Sequence, residues 1–175
     1  MKKNLIAAAV AAVSILSASS AFAADGQVNF KGEIIDSACT VVNSVSNPLD
    51  VTLGQVAKTA FTGAGSTAAA TKFTLQLKDC PATVTSASVK FDGAAVEGDN
   101  SVLALTDESG VATGVGIQLS DASNAVLPLY TASASYALSA IETNDLDFVA
   151  RYIATSDTVT AGPANSVASF TVNYN

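Results

Sequence analysis

The side chains that carry most enzyme chemistry are sparse in this 175-residue chain. It holds no histidine, which removes the Ser-His and Cys-His nucleophile pairs. Serine three positions before lysine, the local pattern of a Ser-Lys nucleophile, occurs at no lysine beyond residue 23. Gly-x-Ser-x-Gly and the phosphate loop are absent. Gly63-Ala64-Gly65-Ser66-Thr67-Ala68 fits a degenerate dinucleotide fingerprint, but it lacks the preceding strand and following helix that would give it meaning. It reads as a loop. Glu97 with Asp99, and Asp145 with Asp147, are carboxylate pairs at a spacing that suits calcium or acid–base work. Exposed acids on an acidic chain explain them more simply. Tyr130, Tyr136, Tyr152 and Phe61 are candidates for a sugar platform, against the plainer role of core aromatics in a chain without tryptophan. The expectation is a protein that is not an enzyme, with no metal site and no cofactor.

Cys39 and Cys80 are the only cysteines. Their meaning depends on compartment, and residues 1–23 speak to that. Lys2 and Lys3 precede an apolar run over residues 5–16, and Ala21-Phe22-Ala23 is a small-x-small cleavage site. This is the pattern of a secretory signal peptide, with Ala24 as the first mature residue. Export to an oxidising compartment predicts a Cys39–Cys80 disulfide. Closing a loop of about 40 residues contributes roughly 4 kcal/mol in the chain-entropy model. Metal binding is disfavoured without histidine, and a redox pair would more often be Cys-x-x-Cys. Beyond residue 23 the chain keeps 6 basic against 15 acidic side chains, a formal charge of −9. Such a surface repels nucleic acid and anionic membranes and favours solubility.

The elements that would position these residues are strands. Residues 28–36 alternate, with Val28, Phe30, Gly32 and Ile34 on one face and Asn29, Lys31 and Glu33 on the other. This half-buried pattern stands where order usually fades. Its apolar face also carries a glycine, which often marks close approach of another backbone. An ordinary first strand is the plain reading. A strand made to fit something other than its own domain is the sharper one. Short apolar runs follow at 37–45 and 51–56, and residues 58–71 read as a low-complexity surface loop. Residues 72–78 alternate cleanly into Cys80-Pro81. Asp92-Gly93 and Glu97-Gly98-Asp99-Asn100 read as turns. Residues 125–130 carry Pro128 and read as an edge or bulged strand. Residues 146–155 form the longest later strand, and 169–175 end the chain as another. No helical period lasts three turns, so the pattern predicts an all-β Greek-key sandwich in a single domain.

Taken together, these residues resemble the pilin subunits of bacterial chaperone–usher fimbriae, with the likeness strongest to major (A) subunits of type 1 fimbriae. The likeness is carried by Phe30-Lys31-Gly32-Glu33 with Cys39 seven residues after Gly32, Leu53-Gly54-Gln55-Val56, Gln76-Leu77-Lys78-Asp79-Cys80, Ala150-Arg151-Tyr152, and Phe170-x-Val172-x-Tyr174-Asn175. It spans the mature chain. The resemblance implies an immunoglobulin-like sandwich that is incomplete and is completed by a donor strand. It implies a division into a signal peptide (1–23), an N-terminal donor-strand extension (24–36) and a pilin domain (37–175). Val28, Phe30, Gly32 and Ile34 would be the donor strand's inward residues, and Cys39–Cys80 would join the first two strands. Gly162, fourteenth from the end, and Phe170, Val172 and Tyr174 would form the C-terminal signature paired with a periplasmic chaperone. The implied function is that of a shaft subunit supporting cell adhesion. It would be exported through the periplasm, pass an outer-membrane usher and polymerise with identical subunits into an extracellular fimbrium. A minor adaptor or adhesive pilin, or a free sugar-binding β-sandwich, is the alternative.

Overall fold

The computed structural model describes residues 26–32, 34 and 38–175. The chain divides into two units, residues 1–34 and 35–175. The signal peptide of residues 1–23 lies outside the described residues. So do Ala24, Asp25, Glu33, Ile35, Asp36 and Ser37.

In the first unit, residues 26–32 and 34 belong to no strand. Val28, Phe30 and Ile34 are 74%, 92% and 97% exposed. The half-buried strand expected over 28–36 is therefore not formed among the described residues. Alternation marks a chain able to lie in a sheet, but a strand exists only when a neighbour pairs its backbone. The space that would make Gly32 necessary is likewise absent here, since nothing lies within 4 Å of where its Cβ would stand.

The second unit is built from strands, with one 3₁₀ turn at Lys58–Ala60. The strands are β1 (Thr40–Val41), β2 (Thr67–Lys78), β3 (Ser86–Gly93), β4 (Ala95–Val96), β5 (Asp99–Leu103), β6 (Val115–Asp121), β7 (Tyr136–Ala137), β8 (Asn144–Ala154) and β9 (Ala168–Tyr174). They form a six-stranded sheet ordered β1-β2-β8-β6-β5-β4 and a three-stranded sheet ordered β7-β3-β9. Every pairing is antiparallel. The crossovers make this a Greek-key sandwich rather than a meander.

Alternation supplies the core. Leu146, Phe148 and Ala150 of β8, Leu75 and Leu77 of β2, and Ile117 and Leu119 of β6 face Ala87, Val89 and Phe91 of β3. Aromatic rings bridge the two sheets. Phe148 lies 5.1 Å from Phe91, 5.6 Å from Phe73 and 5.7 Å from Tyr136 between centroids. Tyr136 and Tyr152 pack against this core, so they do not share an exposed sugar platform. Cys39 and Cys80 form the disulfide, joining the residue before β1 to the end of the β2 region. It reinforces the Thr40↔Lys78 and Val41↔Leu77 pairing.

Three local expectations are corrected. Residues 67–71 are not loop but the first part of β2, paired with β8 around a bulge between Ala68 and Thr71. Thr67 and Ala68 stand opposite Ile153 and Tyr152 of β8, and this pairing overrides their weak strand preference. Asp92-Gly93 is not a turn, because β3 runs through it and Gly93 pairs Ala168. Residues 125–130 make only a bridge, Ser120↔Val126, with Pro128 unable to continue a ladder. Glu97-Gly98, by contrast, turns the β4–β5 hairpin with Gly98 at φ +79°.

Candidate functional site

The candidate site is an unfinished side of the sandwich, and it starts with β9. Phe170, Val172 and Tyr174 alternate with exposed Ser169, Thr171 and Asn173. The three larger residues point at the core, and Phe170 sits 6.4 Å from Phe91. Yet all three are only half-buried, whereas Phe148 and Val89 are fully buried. The core is thus not sealed over β9.

The backbone tells the same story. β9 pairs with β3 alone among the described residues. Asn175 and Ser86 exchange both backbone hydrogen bonds. The antiparallel alternation then assigns Ser169, Thr171 and Asn173 to bonds with β3, and turns the N–H and C=O of Phe170, Val172 and Tyr174 toward the open edge. The same three residues therefore offer apolar side chains inward and free pairing groups sideways.

A second segment borders the same space. Val51, Leu53 and Val56 are half-buried, with the first two packed on the core. Residues 48–56 belong to no strand and make no backbone–backbone hydrogen bond among the described residues. Half-buried extended backbone without a ladder is unusual, because such groups are normally paired. Two contacts tie the stretches flanking this segment to the stretches flanking β9. At one end the Tyr174 hydroxyl donates to the Cys39 carbonyl, at 3.4 Å. At the other, Gly54, Gln55, Val56 and Phe61 face residues 159–165 across a cleft of about 400 Å³ that Tyr152 also lines. Residues 39–61 and 159–174 therefore meet at two points in opposite chain order, and the half-buried, unpaired groups between those points are the candidate trough. Burial pushes the phenols of Tyr152 and Tyr174 up, so both stay protonated donors. Tyr152 donates to the Ala164 carbonyl at 3.2 Å, holding the cleft's far lip.

Phe170, Val172 and Tyr174 thus come together as expected on one strand. Gly162 does not join them. It stands six residues before β9 in an irregular segment. A Cβ on Gly162 would lie 2.1 Å from the Gly110 carbonyl oxygen, 2.6 Å from the Ala112 nitrogen and 2.8 Å from the Val111 carbonyl carbon. The neighbouring Ala112 N–H donates to the Pro163 carbonyl at 2.9 Å. Its glycine is demanded by loop-on-loop packing beneath the cleft. The site residue not singled out from the sequence is Val51; Tyr152, a candidate sugar-platform aromatic there, instead holds the cleft's lip. The run at 51–56 was visible there as apolar alternation, but nothing in it signals an unpaired backbone.

Comparison with known proteins gives the family and the fold. The family profile described as fimbrial protein matches residues 28–175. Long polar fimbria protein A of Salmonella typhimurium is 37% identical over 175 residues, covering 99% of this chain and 97% of that protein. The type-1 fimbrial protein A chain of Escherichia coli K12 is 39% identical over 183 residues, covering 99% and 100%. Among solved structures, an antigen and type I fimbria protein of Burkholderia pseudomallei is 35% identical with a TM-score of 0.61, covering 85% of this chain and 97% of that one. The P pilus rod subunit PapA, at 21% identity and a TM-score of 0.66, covers 79% of this chain and 100% of its own and shares the immunoglobulin-like fold. The chain belongs to the fimbrial protein family and is a structural subunit of a pilus.

Proposed function

We propose that this subunit polymerises by lending residues 24–36 to the trough of the next copy. One observation carries the reading. β9 and residues 48–56 are both packed on one core, and each has half-buried apolar side chains beside unpaired backbone among the described residues. An inserted strand would pair both edges and seal the core, which is strand addition at an exposed edge. Residues 26–32 and 34, which are exposed, carry the matching pattern in Val28, Phe30, Gly32 and Ile34. Burying Val28, Phe30 and Ile34 contributes about 1.5–3 kcal/mol each. A copy that lends forward and receives from behind makes a contact that does not close on itself, so it builds a filament.

An open trough is an aggregation hazard before assembly. A periplasmic chaperone pairing with β9 through Phe170, Val172 and Tyr174 meets that hazard, and an outer-membrane usher completes delivery to an extracellular fimbrium. The role is structural rather than enzymatic.

The test is deletion of residues 24–34 with the signal peptide retained. The expected product is an exported subunit that cannot pass a strand on, and cells bearing no fibres of it under the electron microscope. Normal fibres from the deletion variant overturn the proposal.

A further inference from the structure

We propose that Arg151, on the outer face of the six-stranded sheet, is a docking point for a carboxylate of a second copy of this chain in the assembled fibre. The inference rests on the fibre reading above. Arg151 is the only arginine in the sequence. On β8, Leu146, Phe148 and Ala150 point to the core, so Val149, Arg151 and Ile153 form the opposite face, all half-buried. The guanidinium reaches across β6 to the 121–125 turn. One terminal nitrogen donates to Ser120 Oγ at 2.7 Å and Asn124 Oδ1 at 2.8 Å. Both acceptors are neutral. Nε is buried without any hydrogen-bond partner. The salt bridges among the described residues are Lys72–Asp147 and Lys90–Asp92, and neither involves Arg151. Asp121 of that turn uses its Oδ1 within the turn, accepting from Ser123 N, Ser123 Oγ and Ala125 N, and forms no salt bridge with Arg151.

A half-buried guanidinium is therefore held by neutral acceptors with no salt-bridge partner among the described residues, in a chain where acids outnumber bases. Partly buried charges are ordinarily paired. Guanidinium, being planar and weakly hydrated, suits an interface ion pair better than ammonium. Identical acidic subunits at fibre density repel one another, and each presents mostly acidic groups to its neighbours. Charge complementarity thus selects a carboxylate of another copy. The half-buried Val149 and Ile153 beside Arg151 add apolar area to the contact.

The test uses intact fibres and an arginine-directed dicarbonyl, phenylglyoxal, with the adduct located by peptide mass at Arg151, the one arginine of the sequence. In fibres at low salt, modification is expected to be slower than in the urea-unfolded subunit by about tenfold or more. Salt at about 1 M should raise reactivity part of the way without shortening the fibres, because screening weakens the ion pair, though less at a half-buried site than at an exposed one. Arg151→Gln fibres should form in normal yield and, at low salt, resemble in diameter and flexibility the unsubstituted fibres at high salt, while Arg151→Lys should retain the salt response. Full reactivity in intact fibres overturns the proposal. So does protection that salt does not relieve, which marks only an internal staple to Ser120 and Asn124, and so does equal protection of the unassembled full chain by inorganic phosphate, which marks a free-anion site. Failure of the unsubstituted chain to form fibres would instead defeat the strand-lending reading.

Discussion

Gly162→Ala is the sharpest probe of how the trough is built. The substitution adds one methyl group where three backbone atoms already stand between 2.1 and 2.8 Å away. None belongs to a side chain that can swing aside. Residues 110–112 and 161–163 must separate, and the Ala112–Pro163 hydrogen bond of 2.9 Å stretches or breaks. Overpacking of a tight site costs about 1–3 kcal/mol, and a lost hydrogen bond adds about 1 kcal/mol. The expected loss is about 2–4 kcal/mol, a large share of a typical domain's stability. With a urea slope near 2 kcal/mol/M, that moves the unfolding midpoint down by about 1–2 M. Far-UV circular dichroism or tyrosine emission reads the transition, since the chain has four tyrosines and no tryptophan. Gly98→Ala is the control. Gly98 has φ +79° and open space around it, so only left-handed backbone strain is incurred, about 1–2 kcal/mol. The two substitutions thus separate packing from conformation. A Gly162→Ala midpoint no lower than that of Gly98→Ala refutes the packing argument. It would leave recognition of an outside partner as the reason for glycine there.

Two further outcomes follow from buried and paired polar groups. Lys72 and then Thr74 hydrogen-bond to Asp147 and hold its carboxyl below the usual range, as Ser123 does for Asp121 and Ser101 for Asp99. Folded values below the unfolded ones mean stabilisation that is full above the unfolded pKa near 4 and is lost as pH falls through the folded values. Urea midpoints should therefore be flat from neutral pH to about pH 5 and drop below about pH 4, with a shallower drop in Asp147→Asn. Asn144 is buried at the start of β8. Its Oδ1 accepts from Ser139 N–H at 2.6 Å, and its Nδ2 donates to the Ser139 carbonyl at 2.9 Å. Asn144→Ala strands both groups and should cost about 2–3 kcal/mol in the same urea assay. A loss below 0.5 kcal/mol, on the order of a surface change, would mean that water replaces the side chain.

Much of the fold was legible because a strand's alternation is a local property. Leu146, Phe148 and Ala150 announce the buried face of β8, and Phe170, Val172 and Tyr174 that of β9, without knowledge of any neighbour. Export and cysteine count led to the disulfide for chemical reasons. What escaped depends on partners far along the chain. Thr67-Ala68-Ala69-Ala70-Thr71 looks like loop because its residues are small, yet Tyr152 and Ile153 across the ladder recruit it into β2. Asp92-Gly93 has turn composition, but its fate is decided by Ser169 and Ala168 opposite. Gly162 reads as part of a terminal signature until the backbone at 110–112 is seen pressed against it.

The trough has the same logic at a larger scale. A sheet edge is neither favourable nor unfavourable in itself while water can reach its backbone groups. The difficulty here is that β9 and residues 48–56 hold half-buried apolar side chains beside those groups, so water serves the backbone only by wetting the core. An ordinary domain removes the conflict by placing its own strand in the gap. Residues 26–32 and 34, which have the required alternation, are instead exposed in a separate unit. Removing the conflict within one molecule would leave nothing to link it to the next. On the strand-lending proposal, leaving it in place gives every copy an acceptor for which a second copy carries the complement, and the free energy withheld from the fold of one chain would become the free energy of the fibre.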